Sequence, residues 1–146
     1  MNIQTKFHGE QEINKENIIY FPSGIPGFLN EKEFYILPLE GTDLFVLQSL
    51  KTTEVAFIVT DPFVLFPQYE FDLPEEVIEK LEIQSDKDVA TFAILTVREP
   101  FQETTANLQA PLVINQTKKL GKQVILNHTP YQTKHKIMTP QEQGER

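Results

Sequence analysis

Short runs of β-branched and aromatic residues recur along almost the whole chain, each closed by glycine, proline, asparagine or aspartate, and this punctuation limits the fold more than any other feature. Ile3, Thr5 and Phe7 alternate with polar neighbours, and β-rich runs follow at 18–21, 34–39, 44–50 and 55–60. The pattern resumes at 89–97, 112–114 and 123–126. Strands this short, with turn signals every ~8 to 12 residues, predict an all-β fold: a small antiparallel β-barrel or barrel-like sandwich. Glu40-Gly41-Thr42-Asp43 reads as the clearest hairpin connection, and Leu120-Gly121-Lys122 as a further turn before the last strand.

One stretch breaks the strand pattern. Pro74 stands where a first helical turn accepts proline, Glu75 and Glu76 sit beside the positive end of the macrodipole, and Leu73, Val77, Ile78 and Leu81 share a face. These features predict one short helix over about 73–82, packed on the barrel. Beyond Tyr131 the chain is Gln, Thr, Lys and Glu with Ile137 and Met138 the only apolar side chains, too little burial to offset the entropy of ordering. The 146 residues therefore divide into a single β-barrel domain at 1–131 and a polar, flexible tail at 132–146.

The side chains that carry chemistry are sparse. The chain has no cysteine, which removes disulfides, thiolate metal sites and a cysteine nucleophile, and fits a cytoplasmic protein. His8, His128 and His135 are scattered without ligand spacing. The serines at 23, 49 and 85 lie outside any nucleophile elbow, and no phosphate-binding glycine motif is present. Asp86 and Asp88 form a carboxylate pair, but in an exposed acidic run they keep ordinary acidity unless desolvated. The expectation is no catalysis, no metal and no cofactor. The first ten residues do not resemble a secretory signal and no stretch approaches the ~18 apolar residues of a membrane span, so no membrane association is expected.

Charge and aromatic residues point instead to partners. Residues 70–88 hold eight acids (Glu70, Asp72, Glu75, Glu76, Glu79, Glu82, Asp86, Asp88) against Lys80 and Lys87, a local net of −6 out of −8 for the chain. Residues 104–141 hold no acid and five lysines. The net charge opposes direct nucleic-acid binding. An acidic run is most often a solvated helix face; the sharper alternative is a surface that binds a basic partner or repels RNA. Most of the eleven Phe and four Tyr should fill the barrel. The 61–71 stretch differs, because two prolines interrupt its ladder: it is either a strand kinked over the barrel mouth or an apolar edge open to another protein. Together these give Phe63, Phe66, Tyr69, Glu70, Asp72, Glu75, Glu76 and Glu79 as candidate partner-binding residues.

Two further segments carry a resemblance. Phe21-Pro22-Ser23-Gly24-Ile25-Pro26-Gly27-Phe28 suits a rigid turn with Gly24 and Gly27 at positive φ, and Asn107-Leu108-Gln109-Ala110-Pro111-Leu112-Val113-Ile114-Asn115 reads as entry into a buried strand. With the Asp61-Pro62-Phe63 corner and 123–126, they resemble the FliW family of flagellar assembly factors over most of residues 1–135. In that reading Phe21, Pro22, Gly24, Pro26, Gly27, Phe28, Asn107, Pro111 and Asn115 are structural motif positions. The resemblance implies two alternating partners: flagellin, and the carbon storage regulator, a small dimeric RNA-binding repressor of flagellin translation. The factor would bind the regulator away from its RNA groove and relieve repression, and new flagellin would compete for the factor. It implies no catalytic residue.

Rival readings are a small OB-like barrel that binds nucleic acid and a lipocalin-like barrel that binds a ligand. The first needs base-stacking aromatics among the lysines of 118–136, where only Tyr131 stands. The second needs an apolar cavity that a barrel of this size normally fills with side chains.

Overall fold

The structure, a computed structural model, describes residues 1–137. It contains eleven strands, β1 (Asn2–Thr5), β2 (Gly9–Glu12), β3 (Ile19–Tyr20), β4 (Glu33–Pro38), β5 (Phe45–Ser49), β6 (Ala56–Thr60), β7 (Val89–Thr96), β8 (Thr105–Ala106), β9 (Leu112–Asn115), β10 (Leu120–Gln123) and β11 (His135–Lys136). Two short α-helices, α1 (Pro62–Leu65) and α2 (Glu75–Lys80), interrupt them. The strand order β7-β6-β5-β4-β3-β10-β9 returns to β7 through the β7–β9 pairing, so seven strands close into a barrel. Strand directions cannot alternate all the way round an odd-numbered ring. The exception falls at β3–β10, which run parallel, while the other pairs are antiparallel. Closure leaves those strands without free edges.

Period-two alternation sorts the side chains into two cores. Leu112 and Ile114 of β9 point inward to Phe21, Phe34, Leu47 and Val59, whereas Val113 between them faces outward to a second cluster with Val77, Leu81, Leu95 and Leu108. β9 is therefore buried on both faces, as the apolar run after Pro111 suggested. Phe21 and Phe34 are fully buried and meet edge to face at 5.2 Å.

Several expectations need correction. Phe7 does not continue β1; it sits in the β1–β2 turn, half-exposed, and the hairpin is moored by the Lys6 amide donating to the buried Gln48 Oε1 at 2.9 Å. Gly121 marks no turn. It lies inside β10, and a Cβ there would fall 2.6 Å from the Phe21 ring, so the glycine is required by close approach. The 61–71 stretch is not a strand. Asp61 caps α1 by accepting from the Phe63 amide at 2.9 Å, with Pro62 at the first position. The expected helix occurs as α2 over the narrower span 75–80, with Pro74 as its N-cap. The domain boundary drawn at 131 falls short, since β11 pairs with β8 and Ile137 packs against the outer core. The rest of the expected tail, 138–146, lies outside the described residues.

Both glycines of the first motif adopt positive φ, +69° at Gly24 and +88° at Gly27. In the second motif, Asn107 Oδ1 accepts from the amides of Gln109 and Ala110, and buried Pro111 offers its carbonyl to Val124 N–H at 2.9 Å. Asn115 uses its whole amide. Nδ2 donates to the Leu81 and Glu82 carbonyls, and Oδ1 accepts from Thr117 and Lys118 N–H, which ties the end of α2 to the β9–β10 turn.

Candidate protein-binding surface

α1 is a single helical turn, and its side chains diverge to two recesses. Val64 and Leu65 line an open groove of about 1140 Å³ whose other walls come from Phe7 in the β1–β2 turn, Pro38, Leu39 and residues 41–45 around the β4–β5 turn, Val97, Phe101 and Ile137. The lining is predominantly apolar, with Asp43 and Asp61 among its few charged members. Val64 is 68 % exposed, Val97 50 % and Phe101 43 %. Apolar side chains gathered this way around one recess form a contiguous patch rather than the isolated exposures normal on any surface.

Phe63, next in sequence to Val64, turns toward a second groove of about 610 Å³ with Glu70, Asp72 and Asp86 on its walls and Leu73 and Ile78 among its apolar residues. The structure thus brings three of the candidate partner-binding residues, Phe63, Glu70 and Asp72, round one acidic recess. Glu75, Glu76 and Glu79 are exposed on α2, whose Val77 faces the core. No ion pair links those three glutamates to a cation among the described residues.

Tyr69 and Phe66 are placed otherwise than expected. Phe66 is half-buried against the outer core. Tyr69 is 4 % exposed, donates its hydroxyl to the Leu108 carbonyl at 2.7 Å and packs against Phe63, Phe71 and Tyr131. It joins Phe63 and Phe71, which line the acidic groove, to Tyr131 near the end of the described chain. Burial, with a lesser contribution from the neighbouring Tyr131, raises its phenol far above the ordinary value near 10. A phenol with a raised folded-state value contributes stability that is intact below about pH 10 and drains away as pH rises toward that value, because the unfolded chain ionises first. Tyr69→Phe is therefore expected to flatten the alkaline arm of the stability profile above pH 10, followed by thermal melts between pH 8 and 11; an unchanged alkaline arm would refute the assignment.

Five of the apolar groove's residues, Phe7, Val64, Val97, Phe101 and Ile137, were not legible as a set. Phe7, Val97, Phe101 and Ile137 each stand in a different part of the chain from the apolar run that holds Val64, and the fold brings them together. The local signals were the apolar 61–71 stretch and, within it, Asp61-Pro62, a cap followed by a helix-compatible proline.

Fold and surface together define a small closed β-barrel that offers two grooves on either side of a one-turn helix. The FliW protein family's sequence model matches residues 2–137. The flagellar assembly factor FliW of Geobacillus thermodenitrificans is 53 % identical over 137 residues, covering 94 % of this chain and 95 % of the relative. That of Bacillus subtilis is 51 % identical over 138 residues, covering 94 % and 96 %. A crystal structure of the flagellar assembly factor FliW superimposes with a TM-score of 0.92 at 51 % identity, covering 95 % of this chain and 98 % of that one. The chain belongs to the FliW family of flagellar assembly factors.

Proposed function

We propose that the protein is a non-catalytic cytoplasmic regulator of flagellum assembly that holds flagellin in the apolar groove and the carbon storage regulator over the acidic recess, freeing flagellin translation from repression. The observation that carries this reading is the divergence of α1, whose Val64 and Leu65 serve one groove while Phe63 serves the other. Partners seated on opposite flanks of a four-residue helix meet at the same ridge, so that one excludes the other. Flagellin, released into the cytoplasm before export, then competes with the regulator for the factor.

Electrostatics supply the antagonism. Carboxylates on α2 lie beside the acidic recess, and the Debye length is ~8 to 10 Å at physiological salt. A regulator docked against Phe63, Glu70 and Asp72 would present its RNA groove to that field without direct blockage by the factor. The replacement of Glu75, Glu76 and Glu79 by Gln is expected to leave the fold within ~0.5 kcal/mol of the parent. It should weaken suppression of RNA binding more than it weakens binding of the regulator. Fluorescence anisotropy of labelled leader RNA with the regulator, with and without the factor at low and high salt, measures both. Equal suppression by the triple variant and the parent at both salt concentrations would sink the repulsion mechanism.

A further inference from the structure

We propose that β11 is a proton-sensitive flap on the apolar groove, latched by the neutral imidazole of His135. The Gln132 backbone N–H donates to His135 Nε2 at 2.8 Å. A backbone amide nitrogen can only donate, so Nε2 must present its lone pair and the ring proton resides on Nδ1. Uptake of a proton at Nε2 sets two N–H groups against each other and abolishes the bond. No other arrangement of the ring keeps it, because both nitrogens of the cation are donors.

The consequence reaches the groove because, among the described residues, the backbone attachments of the flap are short and the Gln132–His135 bond stands at their start. β11 has two ladder pairs, His135 with Ala106 and Lys136 with Thr105, and beyond them the Ile137 amide donates to the Thr104 carbonyl at 3.2 Å. The Lys136–Glu103 ion pair at 3.1 Å is half-exposed and contributes little. Ile137 is a wall of the apolar groove. The same latch braces the opposite side: the Gln132 carbonyl accepts from both Leu108 and Gln109 N–H at 3.1 Å, and the Leu108 carbonyl receives the Tyr69 hydroxyl. The imidazole itself lies edge-on to Phe66 and Tyr131 at 6.2 and 6.3 Å.

Among the described residues, the titratable neighbours of the imidazole are Tyr131 and Tyr69 in the same recess, Glu70, whose amide donates to the Tyr131 hydroxyl, and Lys134 and Lys136 on its own segment, the latter paired with Glu103 just before β8. Across the ladder, Thr105 and Ala106 carry no charge. Protonation of the ring therefore acts on the latch through the Gln132 bond.

The release is a property of the free chain; its effect on partner binding rests on the reading of the groove given above. Nitrogen-15 spectra of the full chain from pH 7.5 to 5.0 test the release without any partner. At pH 7.5, Nε2 of His135 should resonate as an unprotonated nitrogen. On acidification the amides of Leu108, Gln109, Gln132 and Ile137 should shift with the His135 midpoint. Hydrogen-exchange protection of Ile137, corrected for the intrinsic rate, should fall roughly tenfold, the size of one lost hydrogen bond. His135→Phe keeps the ring contacts and cannot titrate, so its Ile137 protection should be low at every pH and insensitive to it. A proton on Nε2 at pH 7.5, constant Ile137 protection in the parent, or the same pH-dependent fall in His135→Phe would each overturn the latch. A latch that responds as described while flagellin affinity stays level between pH 7.5 and 6 leaves the flap standing and removes the groove as its target.

Discussion

Replacing Asn115 by leucine should lower stability by about 3 kcal/mol and the melting temperature by roughly 10 °C. The side chain is 1 % exposed, and all of its hydrogen-bonding capacity is used within the fold. Leucine fills similar space but strips the Leu81 and Glu82 carbonyls of their donor and two turn amides of their acceptor. An unpaired buried carbonyl carries its whole desolvation penalty, and the turn amides, closer to solvent, recover part of theirs from water. Asn115→Asp should be worse than leucine at pH 7, because a carboxylate faces the same two carbonyls with no proton to give. It should recover part of the loss as pH falls, when protonation restores one donor. Thermal melts at pH 7 and pH 4.5 measure both; an aspartate variant as stable as the parent at pH 7 would show that the network is not what holds α2 to the barrel.

The two motif glycines should separate under the same substitution. Gly24→Val is expected to cost about 3 kcal/mol or more, whereas Gly27→Val should cost about 1 kcal/mol. Both adopt positive φ, so valine strains either. At Gly24, however, a Cβ would fall 2.6 Å from the Leu29 carbonyl oxygen and 2.7 Å from its Cα, and backbone cannot rotate away as a side chain can. At Gly27 nothing lies within 4 Å. Urea melts of the two variants give the difference directly, and equal losses would mean that the close approach at Leu29 relaxes without cost.

Which parts of this molecule can be read from its sequence follows from how local each determinant is. The strands at 33–38, 45–49, 56–60 and 89–96 announce themselves because both faces of each are specified within a few residues. β2, with the sequence Gly-Glu-Gln-Glu, carries no such signal and pairs because the preceding turn folds it onto β1. Gly121 misleads for the opposite reason: a glycine between leucine and lysine looks like a turn, and the ring that demands it belongs to Phe21, far away in sequence. Tyr69 reads as part of an exposed aromatic corner until Leu108 and Tyr131 close over it. The acidic face of α2 is contiguous in sequence and was legible. The apolar groove is assembled from separate stretches and was not, although it is the larger recess.

The division of labour between the two grooves is the centre of this account, and titration calorimetry of flagellin against three forms of the factor tests it most directly. Val64→Asp combined with Phe101→Asp alters two exposed walls of the apolar groove and should leave the melting temperature close to that of the parent. Charges placed where apolar surface must desolvate should weaken flagellin binding roughly a hundredfold. The Gln replacement of Glu75, Glu76 and Glu79 should bind flagellin as the parent does. A folded groove variant that retains parental affinity for flagellin, or a triple Gln variant that alone loses it, would contradict the assignment of flagellin to the apolar groove.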